Sequence, residues 1–202
     1  MARTVDPVQH EAKRQQILGA AYQLFAQRGF AATTTADISR EAGVSTGNLF
    51  HYFPTKRAIF SAIFEQDTRD TGALLEAAAA SDDPWGGLLR FLAKMLADVA
   101  DPYAGGFLLA VIAQAQQDPE FAAVLERSDE AMLSGLTALL RRAADLGQTN
   151  NSVPPETGAR WIAVLLDGVF IRLAGETGPD SDEPLHTLVQ IISRFLSVEE
   201  HS

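Results

Sequence analysis

No cysteine occurs in the 202 residues. That removes disulfides, thiolate nucleophiles and cysteine-type zinc sites, and it fits an intracellular chain. Histidine is also scarce, at positions 10, 51, 186 and 201 only. There is no HExxH pair, no nucleophile elbow and no glycine-rich phosphate loop, so the common catalytic signatures are missing. The carboxylate pair Asp82 and Asp83 precedes Pro84 and reads as a helix start, not as an acid and a base. The expectation is a chain without catalytic residues, bound metal or cofactor. Long apolar runs are absent too: Trp161 to Leu166 is cut by Asp167, far short of the roughly 20 apolar residues of a membrane-spanning helix. The opening MARTVDPVQHEAKRQQ holds no apolar stretch of the secretory kind. A cytoplasmic protein with no membrane partner is expected.

Basic side chains are in the minority, 16 Lys and Arg against 26 Asp and Glu, for a net charge of −10. The deficit is uneven. Residues 1–60 hold seven basic against four acidic side chains, and residues 61–202 hold nine against twenty-two. An acidic body is common among cytoplasmic proteins, but a basic head on such a body can meet a polyanion while the body is repelled from it.

With 47% apolar residues the chain can bury a core, and its apolar spacing is helical throughout. Ile17, Ala21, Leu24 and Phe25 predict a helix over 9–27, closed by Gly29. Thr34 and Asp37 form a capping pair for a second, short helix that ends at Ala42 before Gly43. Ser45 caps a third helix, which Pro54 stops near Phe53. Thr55 opens a fourth, running toward Leu75. Further helices are predicted near 83–99, 103–115, 119–146, 155–175 and 183–197, two of them opened by Asp-Pro steps at Asp83–Pro84 and Asp118–Pro119. No alternating run flanked by hairpin turns is present. The fold class is therefore all-α, with about nine helices.

The segment AGVSTGNLFHYFPTK raises its own question, because Ser45, Thr46, Asn48 and His51 waste burial and Gly47 weakens a helix by about 1 kcal/mol. Two short helices about a glycine turn make a helix-turn-helix, with one helix bracing and the other entering the major groove. Ile38, Ala42, Val44, Leu49 and Phe53 supply the contacts that lock the pair. Thr46, Gly47, Asn48, His51 and Tyr52 are left facing outward, where they can reach bases and phosphates.

Thr34 to Lys56, TTADISREAGVSTGNLFHYFPTK, resembles the DNA-binding signature of the tetracycline-repressor (TetR) family of bacterial regulators. The resemblance implies a DNA-binding domain over 9–55, with the helix-turn-helix motif at about 34–53, and an effector-binding and dimerisation domain over 56–202. It implies a DNA-contacting set of Thr34, Thr35, Ser45, Thr46, Gly47, Asn48, Phe50, His51, Tyr52 and Lys56, with Lys56 on a phosphate. Phe50 stands where the family most often has tyrosine, so it can touch a thymine methyl but donates no hydrogen bond. Lys56 and Arg57 open a helix, where a cation opposes the macrodipole unless an anion is near, and a phosphate would relieve this.

The resemblance further implies a homodimeric repressor that reads a palindromic operator and releases it when a small-molecule effector binds the second domain. Candidate pocket residues are Phe91, Met95, Phe107, Gln114 and Trp161, with ordinary core packing as the competing reading of each. Candidate dimer residues on the last two helices are Leu165, Val169, Phe170, Leu188, Ile192 and Phe195. The alternative is a DNA-binding regulator whose second domain binds a protein partner and no small ligand.

Overall fold

The computed structural model describes residues 7–99, 101–149, 153–173 and 182–196. Among them all regular structure is helical: α1 (Pro7–Ala32), α2 (Thr35–Glu41), α3 (Thr46–Tyr52), α4 (Lys56–Ala80), α5 (Pro84–Val99), α6 (Ala104–Gln117), α7 (Pro119–Asp145), α8 (Pro155–Leu173) and α9 (Asp182–Leu196). The predicted joint at 149–155 lies partly, and that at 176–182 almost wholly, outside the described residues. No described helix is long and apolar enough to cross a membrane.

Two helices run past their predicted ends. Gly29 leaves helical geometry as expected (φ 75°, ψ 168°), but α1 resumes beyond it to Ala32. Thr33 explains the resumption: its buried hydroxyl donates to the carbonyl of Gly29 at 2.9 Å and to that of Leu24 at 3.2 Å, satisfying acceptors that the break exposes. The fourth helix extends through Ala77–Ala80, because alanine is the best helix former and nothing there interrupts the ladder.

The chain divides into two compact units. The first comprises residues up to Gln66 together with Gly106–Ala122, so it does not end at a cut near residue 55. The reason is a ring cluster around Phe60. Phe25, Phe30, Phe107 and Phe121 have ring centroids within 5.0–5.4 Å of it, in edge-on and tilted pairs. Ile17, Ile38, Leu49 and Ile59 are fully buried in the same unit. Gly106 permits α6 to approach α1, since a Cβ there would stand 2.3 Å from the carbonyl oxygen of Ala26. Arg57, on the first turn of α4, pairs with Asp118 at 2.9 Å and with Glu120. Those two carboxylates balance the cation at the helix start, and Asp118 also accepts from the amides of Glu120 and Phe121 to cap α7. The anion expected at Arg57 is thus supplied by the protein.

The second unit, Asp67–Gly105 with Ala123–Ser202, buries Leu75, Leu88, Phe91, Leu92, Leu136, Leu139, Ile162, Leu188 and Ile192 in one apolar cluster. Asp83 caps α5 by accepting from the Gly86 amide at 2.8 Å, as the Asp-Pro step predicted.

Candidate nucleic-acid interface

Local sequence builds the helix-turn-helix almost unaided. The Thr34 hydroxyl accepts from the Asp37 amide at 3.1 Å while the Asp37 carboxylate accepts from the Thr34 amide at 3.2 Å, a reciprocal capping box. The Thr34 hydroxyl's bond to Asp37, ahead of its backbone bond and the nearby Arg40, holds that carboxyl below the ordinary aspartate range. Replacing Thr34 with alanine removes the N-cap of α2 and should cost about 1 kcal/mol, the usual worth of such a cap, read as a lower midpoint in urea unfolding. The buried Ser39 hydroxyl donates back to the Thr35 carbonyl at 2.8 Å, so serine is accommodated at the crossing of the two helices. Gly43 takes φ 58°, a left-handed value that favours glycine, and the Val44 amide closes the turn on the Ser39 carbonyl at 2.9 Å. The Ser45 hydroxyl then accepts from the Asn48 amide at 3.2 Å and starts α3.

Only Leu49 of α3 is buried, at 0% exposure. Thr46, Gly47, Asn48, Phe50 and His51 are exposed and Tyr52 is half-buried, whereas Phe53 is core. Phe50 leaves 46% of its surface in water, an unusual position for a phenylalanine with no internal role. Gly47 is equally telling. A Cβ there would meet nothing within 4 Å, so the bracing helix does not require the glycine. Thr34 and Ser45 are exposed and Thr35 half-buried, so these three adjoin the same helix starts while serving first as caps and turn residues.

Lys56, expected on a phosphate, reaches backbone carbonyls within its own chain. Its ammonium donates to the carbonyls of Phe30 at 2.7 Å, Thr33 at 2.8 Å and Ala31 at 3.4 Å, and lies 4.3 Å from the centre of the Phe30 ring. The side chain staples the end of α1 to the start of α4.

The sequence offers Arg3, Lys13 and Arg14 as an arm that reaches the minor groove or backbone, or else as a solvated charge run, and does not foresee how the first turns of α1 pack. The His10 ring lies 4.6 Å from the Tyr52 ring, and the Arg14 guanidinium 5.7 Å from that of Phe53. No local pattern announces contacts over some forty residues of separation.

The pocket candidates are divided between the two units. Phe91 is sealed in the second unit's core, with Met95 packed against it. Phe107 stacks in the first unit on Tyr22 and Phe60, and the Gln114 amide donates to Asp118 at 3.2 Å. Trp161 is 53% exposed. Among the dimer candidates, Leu188 and Ile192 are core residues of the chain itself, because they occupy the inward stripe of α9. Leu165, Val169 and Phe170 are half-buried and Phe195 is exposed. The outward apolar side chains of these helices are instead Trp161, Val164 and Ile171 on α8 and Ile191 and Phe195 on α9.

A capped bracing helix, a glycine turn and a second helix that buries one leucine and exposes polar and aromatic side chains define a helix-turn-helix DNA-binding protein. The chain belongs to the tetR family of bacterial regulatory proteins, whose model matches residues 17–63, while residues 84–197 match the C-terminal model of BetI-type transcriptional repressors. It is a DNA-binding transcriptional regulator. Among its relatives, the HTH-type transcriptional repressor Rv1474c of Mycobacterium tuberculosis is 30% identical over 83% of this chain and 86% of its own. The repressor AcnR of Corynebacterium efficiens is 29% identical over 80% and 81%. A solved complex of SmeT with triclosan shares the fold, with a TM-score of 0.80 at 23% identity over 94% of this chain and 93% of that one. A regulator of Saccharomonospora viridis in complex with choline gives 0.76 at 20% identity over 94% and 100%.

Proposed function

We propose that the protein is a homodimeric repressor that holds a near-palindromic operator through two copies of α3 and lets go when a small molecule binds its C-terminal part. The observation that carries the DNA half is the face of α3, where Thr46, Gly47, Asn48, Phe50 and His51 are exposed around a single buried leucine. Such a face is poor packing material and good groove material. One seven-residue helix reads few base pairs, so two copies on a dyad, about 34–36 Å or a multiple of that apart, are needed for useful specificity. The outward apolar stripe of α8 and α9 supports the pairing. Repression is supported by the names of the relatives and of the C-terminal family model. Effector release is supported by the small molecules named with two structures of the same fold.

The test is selection of duplexes from a random library by the purified protein. A near-palindromic sequence should emerge, bound with an affinity that falls steeply as salt rises. Asn48→Ala should weaken that binding about 10- to 100-fold, the range for removal of one good base-edge interaction, without lowering the melting temperature. Recovery of no enriched sequence at low salt would refute the operator reading. A ligand screen by thermal shift addresses the effector separately, since a true effector raises the melting temperature by mass action.

A further inference from the structure

The geometry points to His10 as a positioning residue of the DNA-binding surface, one that holds Tyr52 in place. The apolar stripe of α1 runs inward through Ile17, Ala21 and Leu24. Followed in the other direction along the same face, by turns of three and four residues, it reaches Arg14 and His10 and emerges beside the end of the recognition helix. There the His10 ring packs on Tyr52 with centroids 4.6 Å apart and planes tilted by 34°. His51 completes the group, edge-on to both, at 6.4 Å from His10 and 5.6 Å from Tyr52.

Three rings from two helices thus meet at one edge of the exposed α3 face. Tyr52 is the last residue of α3, where the helix is least restrained, and the His10 ring limits where the phenol can lie.

The experiment measures fluorescence anisotropy of a labelled duplex, recovered by selection on the wild-type protein, with His10→Phe, His10→Ala, Tyr52→Ala and the double variant. His10→Phe keeps a ring on Tyr52, and His10→Ala removes it. His10→Ala should bind about two- to tenfold more weakly than wild type, the worth of one aromatic pair, and His10→Phe should recover most of that loss. In the Tyr52→Ala background, His10→Ala should cost nothing further. Circular dichroism melts of each variant establish that it is folded. Equal affinities of His10→Ala and His10→Phe, or an undiminished His10→Ala loss in the Tyr52→Ala background, would overturn the positioning role.

Discussion

A chain carrying Trp161→Glu together with Ile171→Glu is expected to run as a folded monomer at concentrations where the proposed dimer forms, and to lose most of its hold on DNA. In the single chain Trp161 is 53% exposed, Val164 51% and Ile171 63%, in line along one side of α8. On α9, Ile191 and Phe195 add 47% and 39%. Neither substitution touches the cluster of Leu88, Phe91, Leu136, Ile162 and Ile192 that holds the second unit together, so folding should survive. In a symmetric pair each change occurs twice, placing four carboxylates within one apolar interface. Leaving a charge buried and unpaired costs roughly 3–5 kcal/mol, so the association constant should fall by at least about a thousandfold. Sedimentation equilibrium reads that loss directly. DNA affinity should follow, because an unpaired head keeps only half of the contacts. A double variant that still sediments as a dimer would move the interface to another face. By contrast, Leu188→Glu would unfold the protein and say nothing about pairing, because Leu188 is 3% exposed within its own chain.

The division between what could and could not be read from the sequence follows the range of the interactions. Caps act within three or four residues, and those of Thr34 with Asp37, Ser45, Thr55, Asp83 and Asp118 all form where the sequence indicates. Gly29 and Gly43 likewise take the positive φ that helix ends favour. The exposed face of α3 was legible for the same reason, since a seven-residue helix with one strongly apolar inward position has only one way to face its brace. Side chains decided by tertiary phase were not legible. Leu188 and Ile192 differ from Ile191 and Phe195 by a rotation of α9, and the sequence makes both stripes apolar. Trp161 and Phe91 are both large aromatics, yet one lies in water and the other at 0% exposure. Arg57 finds its partners 61 and 63 residues away, which is why α6 and the start of α7 join the first unit although the resemblance implies a domain ending at residue 55.

Replacing Lys56 with methionine should cost about 2–4 kcal/mol of stability, since hydrogen bonds to a charged group contribute roughly 1.5–3 kcal/mol each and the carbonyls of Phe30 and Thr33 would be left without their donor. An ammonium has three protons to give, and all three are directed at backbone carbonyls at the break between α1 and α2. To grip a phosphate it would have to release them. Burial against the Phe30 ring and the backbone draws Lys56 below the usual lysine range, which opposes the charged form. With the folded value below the unfolded one, the unfolded chain binds more protons in the alkaline window between the two, so this group makes stability rise with pH there. Lys56→Met should remove that alkaline contribution. Binding of the selected duplex separates the two roles. If Lys56 is a staple, the variant assayed below its melting temperature keeps the wild-type salt slope. If it is a phosphate ligand, the slope becomes shallower by about 0.9 and stability is unmoved. The carbonyl distances favour the staple, and its position explains how the recognition helix is held. Lys56 begins only four residues after α3 ends, so anchoring it to the end of α1 fixes both ends of the α2–α3 pair against the same helix.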